Sequence, residues 1–441
     1  MSDRRARPDP FEVLPLERPP DATVRPPGSK SITNRALVCA ALAGGRSVLD
    51  GALLADDTEA MIDCLRGLGV AIGVDRATCS VVVRGVGGRP PVEGALLDAR
   101  LSGTTSRFVA PVAALTRATT VLDGAPPLRA RPMGDLLDAL TALGAEVEPL
   151  GRPGHLPVRI SGGGSLGSSV EVAGDVSSQF LSGLLLSAPC LPDGLEVRTT
   201  TPLVSVPYVE MTLAVMEHFG AVVRRDGDLI AVAPTGYRAT SLAVEPDASA
   251  ATYFLAAAAI CGGRVRVEGL GSGSLQGDAR FADLLARMGA EVRWDEDSVE
   301  VRGGPTLRGI TADLADLSDT AQTLAAVAPF AEGPTVVRGI GFIRGKETDR
   351  IAAVVKEMRR LGVDATEDDD GFTIRPGEPE GGVVATYDDH RMAMSFALLG
   401  LRVPGIRIAD PGCVAKTYPG YWDDLDLLRS PPAGVPGPDA P

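Results

Sequence analysis

Three of the four lysines of this chain lie in segments whose composition is typical of ligand sites. Lys30 lies in PPGSKS, Lys346 in RGKETDR and Lys416 in CVAKTYP, whereas Lys356 resembles an ordinary surface helix residue. The other 39 of the 43 strong bases are Arg. Because a guanidinium does not imitate a compact ammonium group, Lys at these three places predicts contact with a ligand, and chance is the alternative.

Hydroxyl groups accompany these bases at the predicted starts of helices. Ser29 and Ser31 flank Lys30 ahead of a helix predicted over 32–43. Backbone N–H groups and hydroxyls at a helix start bind phosphate or carboxylate, and simple N-capping is the alternative. Similar openings are S-G-T-T-S-R over 102–107 and the run Ser177, Ser178, Gln179.

Two carboxylates in the second half of the chain have the surroundings of proton-transfer groups. Asp319 follows a Ser, and Glu347 lies in a segment that also holds Lys346 and Arg350. Helical spacing would place Lys346 and Arg350 on one face. A carboxylate beside cations can act as general acid or base, and an exposed, salt-bridged helix start is the alternative.

The candidate site is rich in cations although the formal net charge of the chain is −14. Positive charge concentrated on an acidic protein attracts an anionic ligand into one cleft. The pattern predicts a polyanionic ligand, or two, and needs neither a metal nor another cofactor, since the cations already stabilise charge. Solvated loop arginines are the alternative for Arg129 and Arg131 in PPLRARPMG. The candidate cations are Lys30, Arg35, Arg107, Arg131, Lys346, Arg350, Arg391 and Lys416.

The elements that position these residues repeat along the chain. A helix, a closing Gly and a strand recur at Gly69, Gly144, Gly220, Gly289 and Gly362, 69 to 76 residues apart. A Gly just after a helix adopts the left-handed C-cap conformation. Polar openings alternate with these units at Ser31, Ser102, Ser177, Ser249, Ser318 and Asp388. The pattern predicts six α/β modules with Ala-rich helices inside and sheets outside.

Two Pro-rich segments, LERPPDATVRPPGSK and AVEPDAS, are the predicted hinges. They predict one discontinuous domain of three modules, residues 1–24 and 244–430, and a second domain of three modules, residues 25–243. Residues 431–441 are predicted to be a disordered tail, and residues 1 to about 10 to be frayed.

Composition excludes several classes of protein. No apolar run approaches the roughly 18 residues of a membrane span, and no apolar segment follows the basic N-terminus as in a secretory signal, so a cytoplasmic protein is expected. The six cysteines lie at least 15 residues apart, which argues against a zinc cluster or a disulfide framework. With 18 aromatic residues and no basic stripe, nucleic acid is not an expected partner.

Eleven collinear segments from about residue 25 to 425 resemble the family of 3-phosphoshikimate 1-carboxyvinyltransferases, the EPSP synthases. The resemblance implies a two-domain inside-out α/β barrel of the enolpyruvyl transferase type, with βαβαββ-like modules, closing on its substrates as a monomer without a cofactor. It implies transfer of the enolpyruvyl group of phosphoenolpyruvate to the 5-hydroxyl of shikimate 3-phosphate. The segments are PGSKSITNRAL, SGTTSRF, RARPMGDLLDAL, VSSQFLSGLLL, LVSVPYVEMT, VEPDASAATYFLAAAAI, GDARFADLLARMGAEV, SDTAQT, RGKETDRI, YDDHRMAMSFA and DPGCVAKTYPGYWDDL.

The resemblance also implies residue roles. Asp319, Glu347 and Lys30 would be catalytic. Shikimate 3-phosphate would bind Lys30, Ser31, Arg35, Ser177, Ser178, Gln179, Ser205, Asp319 and Lys346, and phosphoenolpyruvate would bind Lys30, Gly103, Arg131, Gln179, Arg350, Arg391 and Lys416.

The chain departs from the family pattern at three positions, and rival functions stay open. Leu101 and Phe108 stand where many members have Asn and Pro, and Phe342 stands where some members have a substrate-contacting Asn. These departures bear on acceptor specificity and inhibitor sensitivity. The alternatives are a UDP-N-acetylglucosamine enolpyruvyl transferase, an enolpyruvyl transferase of a specialised pathway, and a non-catalytic anion-binding protein. The last would have no need of Asp319 and Glu347.

Overall fold

The computed structural model describes residues 7–162 and 166–429. The chain divides into two compact units. The continuous unit is Pro27–Glu245, and the discontinuous unit joins the described residues up to Pro26 with those from Pro246 onward. The predicted tail over 431–441 lies outside the described residues.

Short helices and strands alternate throughout the described residues, as the sequence pattern predicts. The helices are α1 Lys30–Leu42, α2 Asp56–Gly67, α3 Gly103–Ala114, α4 Pro126–Arg129, α5 Gly134–Ala142, α6 Ser178–Ser187, α7 Val206–His218, α8 Ala248–Cys261, α9 Phe281–Met288, α10 Ala321–Val327, α11 Arg350–Arg360, α12 His390–Gly400 and α13 Tyr421–Asp426. Short 3-10 helices cover Ala188–Cys190, Gly277–Arg280, Ser318–Thr320, Ala328–Phe330, Gly341–Gly345, Pro411–Lys416 and Leu427–Arg429.

The strands are short and belong to several separate sheets. They are β1 Phe11–Glu12, β2 Asp21–Val24, β3 Gly44–Asp50, β4 Ala71–Asp75, β5 Ser80–Val86, β6 Gly94–Asp98, β7 Thr119–Asp123, β8 Glu146–Pro149, β9 Val158–Ser161, β10 Ser169–Val172, β11 Leu195–Thr199, β12 Val223–Asp226, β13 Leu229–Val232, β14 Ser241–Ala243, β15 Arg264–Glu268, β16 Glu291–Trp294, β17 Ser298–Arg302, β18 Leu307–Arg308, β19 Thr311–Asp313, β20 Ala331–Glu332, β21 Thr335–Arg338, β22 Ala365–Asp368, β23 Gly371–Ile374, β24 Val383–Val384 and β25 Arg407–Ile408.

The continuous unit consists of three modules of the same design. Its sheets have the strand orders β14-β3-β5-β4, β6-β7-β9-β8 and β10-β11-β13-β12, each with one parallel pair followed by two antiparallel pairs. Helices α1, α3 and α6 are buried almost all round, as expected of helices inside a shell of sheets. The residues they bury form one hydrophobic core with the inward faces of the strands.

The discontinuous unit repeats this design with a separate core around α8, α10 and α12. Two sheets follow the same pattern, β2-β15-β17-β16 and β19-β21-β23-β22. The sheet of the sixth module, β1-β25-β24, has three strands, and among the described residues no helix-Gly-strand segment follows α12. Strands β18 and β20 form a separate two-stranded sheet. The fold is therefore the two-domain α/β architecture that the sequence predicts, with one abbreviated module.

The glycines predicted to close helices all have left-handed backbone conformations, with φ between 82° and 111°. At Gly289, where φ is 111°, an added Cβ would lie 2.8 Å from the carbonyl oxygen of Thr306. An L-residue is disfavoured there by its own backbone and by this neighbour.

Part of the segment predicted to be frayed is tied down. Arg7 donates a hydrogen bond to Asp423 at 2.6 Å, and Asp9 accepts one from the backbone N–H of Asp410 at 2.9 Å. The prediction is wrong for residues 7–10, since contacts distant in sequence hold them. In the described part of the chain, no helix is both long and apolar enough to cross a membrane.

Candidate active site

Arg350, the first residue of α11, is the centre of an ion-pair network in the discontinuous unit. Its guanidinium donates to Asp319 at 3.0 Å, to Glu347 at 2.9 Å and to Asp389 at 2.8 Å. Burial alone would lower the pKa of Arg350, but these three carboxylates outweigh burial and raise it above its ordinary value. The arginine therefore stays charged and holds three acids together.

Two more cations contact the same acids. Arg391, in the first turn of α12, donates to Asp319 at 2.6 Å, and Lys416, at the end of a 3-10 helix, donates to Glu347 at 3.1 Å. Asp319 and Glu347 each bridge two cations as a result. The structure thus brings together all the predicted catalytic and phosphoenolpyruvate-binding residues of this unit.

Exposure separates the three carboxylates by role. The side chains of Asp319 and Glu347 keep 19% and 13% of their surface exposed, whereas Asp389 keeps none. Only the first two can therefore meet a ligand. Asp389 fixes Arg350 and caps α12, since it also accepts a hydrogen bond from the backbone N–H of Arg391 at 2.9 Å.

Two polar residues support Arg391 from behind, and the sequence did not assign them to the site. The Ser249 hydroxyl donates a short hydrogen bond to the buried Asp278 carboxylate. Because its hydrogen is used there, the Ser249 oxygen accepts from Arg391, at 3.4 Å. Ser249 was predicted only as a module opening, and Asp278 only as part of the GDARF segment.

Lys346 does not share a helix face with Arg350, contrary to the sequence prediction. The Asp349 side chain accepts from the backbone N–H of Ala352 at 3.0 Å, and this cap starts α11 at Arg350. Lys346 precedes the helix, and its ammonium nitrogen lies 5.9 Å from the centre of the Phe342 ring. Phe342, one of the departures from the family pattern, therefore forms a cation–π contact with Lys346, which is predicted to bind shikimate 3-phosphate.

In the continuous unit, Lys30 begins α1 and pairs with an acid that the sequence prediction missed. Its ammonium nitrogen lies 3.3 Å from Asp57, and their side chains are 14% and 4% exposed. The backbone carbonyl of Asp57 accepts a hydrogen bond from the Thr105 hydroxyl at 3.1 Å. This contact links the start of α2, and with it Lys30, to the start of α3.

Gly103 leaves room for two arginines at the start of α3. A Cβ at this position would lie 2.5 Å from a terminal nitrogen of Arg107 and 2.7 Å from one of Arg131. Arg107 also donates to the carbonyl of Pro132 at 3.1 Å. Arg129, which lies in the same turn as Arg131, instead forms a bidentate ion pair with Asp123, at 2.8 and 2.7 Å.

The start of α6 adjoins the same place. The Gln179 side-chain amide donates to the Thr104 hydroxyl at 3.4 Å, which connects it to α3. Ser177 caps the helix by accepting from the backbone N–H of Gln179 at 3.3 Å, and Ser178 begins the helix. Lys30, Gly103, Arg131 and Gln179 therefore lie along one chain of contacts.

Arg35 and Ser205 are placed by α7. Arg35 is buried and donates to the Thr212 hydroxyl at 2.7 Å, to the backbone carbonyl of Ser31 at 2.9 Å and to that of Tyr208 at 3.0 Å. Burial lowers the pKa of Arg35 to about 10, so it remains protonated at neutral pH. Ser205 precedes α7 with a left-handed φ of 54°.

Phe108, the second departure from the family pattern, contacts Arg35. Its ring is fully buried, and its centre lies 5.2 Å from the Arg35 guanidinium carbon. Arg35 therefore also packs α1 against α7 and α3, which the sequence did not indicate.

Known proteins resemble this chain over nearly its whole length. The family model of EPSP synthase (3-phosphoshikimate 1-carboxyvinyltransferase) matches residues 17–425. The 3-phosphoshikimate 1-carboxyvinyltransferase of Nostoc punctiforme is 46% identical over 94% of this chain and 98% of its own length. The chloroplastic enzyme 1 of that name from Nicotiana tabacum is 44% identical over 91% of this chain and 82% of its own.

Solved structures show the same fold. An EPSP synthase from Acinetobacter baumannii, 28% identical, matches with a TM-score of 0.81 over 96% of this chain and 98% of its own. The enolpyruvyl transferase NikO from Streptomyces tendae, 20% identical, matches in fold with a TM-score of 0.73 over 94% and 96%. The repeated modules, the paired acids and the family match over nearly the whole chain together establish that this enzyme belongs to the EPSP synthase (3-phosphoshikimate 1-carboxyvinyltransferase) family.

Proposed function

We propose that this enzyme transfers the enolpyruvyl group of phosphoenolpyruvate to the 5-hydroxyl of shikimate 3-phosphate. The hydroxyl oxygen bonds to C2 of phosphoenolpyruvate, the methylene carbon gains a proton, and a tetrahedral adduct forms. The C2–O bond to phosphate then breaks and the new methyl group returns a proton, which leaves the enolpyruvyl ether and inorganic phosphate.

Three residues are assigned to proton transfer and charge stabilisation. Asp319 takes the proton of the 5-hydroxyl. Glu347 gives the proton to the methylene carbon and later takes one back. Lys30, in the continuous unit, works with Glu347 at the methylene proton and the leaving phosphate, where its compact charge offsets the developing negative charge.

The remaining candidates are assigned to ligand binding. Shikimate 3-phosphate is assigned to Lys30, Ser31, Arg35, Ser177, Ser178, Gln179, Ser205, Asp319 and Lys346. Phosphoenolpyruvate is assigned to Lys30, Gly103, Arg131, Gln179, Arg350, Arg391 and Lys416.

The pairing of Asp319 and Glu347 with Arg350, and of each acid with one further cation, carries this proposal. Each acid is partly exposed and bridges Arg350 to a second cation. Two positioned carboxylates beside an anion site supply the acid and base that addition and elimination require, and a protein that only binds anions does not need them.

The test is phosphate release from phosphoenolpyruvate by the purified enzyme with different acceptors. We expect release with shikimate 3-phosphate and none with shikimate or UDP-N-acetylglucosamine. Release with UDP-N-acetylglucosamine alone would support the rival transferase, and release with another alcohol alone would support a specialised pathway. No release with any acceptor would contradict the proposal and favour the anion-binding protein.

An isosteric variant tests the role of Asp319. Asp319→Asn keeps the side-chain shape but removes the base, so kcat should fall by about 10²- to 10⁴-fold. Asp364→Asn, at an exposed ion pair with Arg375 of the same unit, is the matched control and should retain activity. Equal kcat values for the two variants would contradict the assignment of Asp319.

We also propose that the enzyme acts as a monomer in the cytoplasm. Each unit has its own hydrophobic core, so neither needs a partner to complete it. All six cysteines are unpaired, as in proteins of reducing compartments. Light scattering coupled to size exclusion measures the mass directly, and twice the chain mass of 45.6 kDa would contradict the monomer.

A further inference from the structure

The loop that leads into α12 has a strained backbone. Tyr387 and Asp388 both have left-handed conformations, with φ of 56° and 58°. Two consecutive non-glycine residues in this region raise the energy of the backbone. Such a loop persists only where its surroundings hold it, and it lies directly before Asp389 and the α12 residue Arg391.

Glu357 of α11 holds the loop from one side. Its carboxylate is fully buried and accepts hydrogen bonds from the Tyr387 hydroxyl at 2.6 Å and from the backbone N–H of Ala385 at 3.0 Å. Arg360 lies 3.5 Å from the same carboxylate. A buried carboxylate has lost its hydrogen bonds to water, and these donors replace them. The loop therefore cannot relax without breaking its hydrogen bonds to Glu357.

Arg350 holds the other end of the loop. It lies seven residues before Glu357 on α11, a spacing that places both side chains on one helix face. Arg350 donates two hydrogen bonds to Asp389, at 2.8 and 3.3 Å. One helix therefore fixes the loop at Ala385 and Tyr387 through an anion and at Asp389 through a cation.

We propose that Glu357 and Tyr387 are positioning residues for phosphoenolpyruvate, because they hold the strained loop in the conformation in which Asp389 caps α12 and orients Arg391. The inference rests on the proposed function, in which Arg391 binds this substrate. Neither residue touches the substrate itself. Both act by keeping the start of α12 in place.

The test compares Tyr387→Phe with a matched control, Tyr421→Phe. Each variant loses one hydroxyl hydrogen bond of the discontinuous unit, since Tyr421 donates to the carbonyl of Met394 on α12 at 2.8 Å. Two quantities are measured: hydrogen–deuterium exchange of the backbone over 385–391 without substrate, and KM for each substrate.

We expect Tyr387→Phe to speed exchange over 385–391 and to raise KM for phosphoenolpyruvate about 10-fold, because a displaced guanidinium binds the substrate poorly. KM for shikimate 3-phosphate should stay within about threefold. The double variant Tyr387→Phe/Asp388→Gly should recover most of the loss, since glycine adopts the left-handed conformation without strain. The control should change neither the exchange over 385–391 nor either KM.

Three results would overturn the inference: unchanged exchange over 385–391 in Tyr387→Phe, equal rises in both KM values, or the same profile in the control. Absence of phosphate release by the unmodified enzyme would instead contradict the proposed function. The exchange measurement needs no substrate, so it would still decide whether the hydrogen bond from Tyr387 to Glu357 holds the loop.

Discussion

Asp319 and Glu347 each pair with two cations, and these cations are also the ones assigned to bind phosphoenolpyruvate. Phosphoenolpyruvate carries a carboxylate and a phosphate, so its arrival provides new partners for Arg350, Arg391 and Lys416. Under the proposed assignment, the two acids would then be released from ion pairing when they must exchange protons. Asp389 is fully buried, so its bond to Arg350 would preserve the position of the guanidinium.

Gly103 gives a test at the level of one methyl group. In Gly103→Ala the new Cβ collides with the ends of Arg107 and Arg131, which are flexible and can move aside. The unfolding free energy should therefore change by less than about 1 kcal/mol. KM for phosphoenolpyruvate should rise about 10-fold, since Arg131 is displaced.

Steady-state kinetics and urea unfolding of Gly103→Ala check both expectations. Gly273→Ala, where an added Cβ meets nothing within 4 Å, is the control and should alter neither quantity. An unchanged KM for phosphoenolpyruvate in Gly103→Ala would show that the two arginines do not depend on this glycine.

Sequence patterns identify residues with unusual surroundings but not their partners. Lys30, Asp319 and Glu347 were found because they lie in short polar segments. Asp57 looks like an ordinary acid at a helix start, and its pairing with Lys30 depends on how α1 packs against α2. Asp389 likewise lies 39 residues from Arg350, and no local spacing connects them.

At the level of elements, two kinds of helix end matter. Some helices end in a left-handed glycine, and others begin at capped turns where the candidate site residues lie. Polar groups gather at the starts of α1, α3 and α6 in one unit and of α8, α11 and α12 in the other. A helix start offers free N–H groups and a partial positive charge, so it suits anionic ligands.

Gly289 tests the caps. Gly289→Ala must place an L-residue at φ 111° with its Cβ near the Thr306 carbonyl, and the unfolding free energy should fall by about 1–2 kcal/mol. Urea unfolding measures the change, with Gly273→Ala again as the control. A loss no greater than the control's would mean that the cap of α9 contributes nothing to stability.

The order of elements was predictable, whereas some of their ends were not. The repeated glycines gave the period because only glycine adopts the C-cap conformation at low cost. The start of α11 was misplaced by four residues, since K-E-T-D-R has helical spacing throughout and only the hydrogen bond from Ala352 to Asp349 shows where the helix begins. The sheet β1-β25-β24 has three strands instead of four, and the sequence indicates this only by having five, not six, of the closing glycines.

At the level of the whole molecule, five of the six thiols lie inside the two cores or at their edges. Burial raises the pKa of Cys39, Cys64, Cys190, Cys261 and Cys413 to about 12, while Cys79 is exposed. In the unfolded chain these five buried thiols lose their protons above about pH 8.5, whereas in the folded enzyme they keep them up to about pH 12.

Stability should therefore fall as pH rises above about 9. Each buried thiol contributes up to about 1.4 kcal/mol per pH unit to the fall in unfolding free energy. Urea unfolding with reductant at pH 8, 9 and 10 measures this slope. Cys64→Ala should reduce the slope by up to about 1.4 kcal/mol per pH unit, because one buried thiol is removed. Equal slopes in Cys64→Ala and the unmodified enzyme would contradict the expectation.

The predicted division of the chain and the division between its two compact units differ by two residues. The predicted boundaries follow residues 24 and 243, and the structure divides after Pro26 and Glu245. Proline marks both places because it interrupts helix and strand periods alike. How the strands next to these boundaries pair was not accessible, since each joins a sheet formed mainly by distant residues.

The pairing of β2 with β15 has a consequence for folding during synthesis. Strand β2 leaves the exit tunnel early, yet its parallel partner β15 begins 243 residues later, where Arg264 reaches Asp21. At about 5–20 residues per second, the N-terminal strand waits roughly 12–50 s for its neighbour. All strands of the continuous unit, up to β14, are made before that neighbour. Synthesis therefore leaves one nascent strand edge open to chaperones until the second half of the polypeptide arrives.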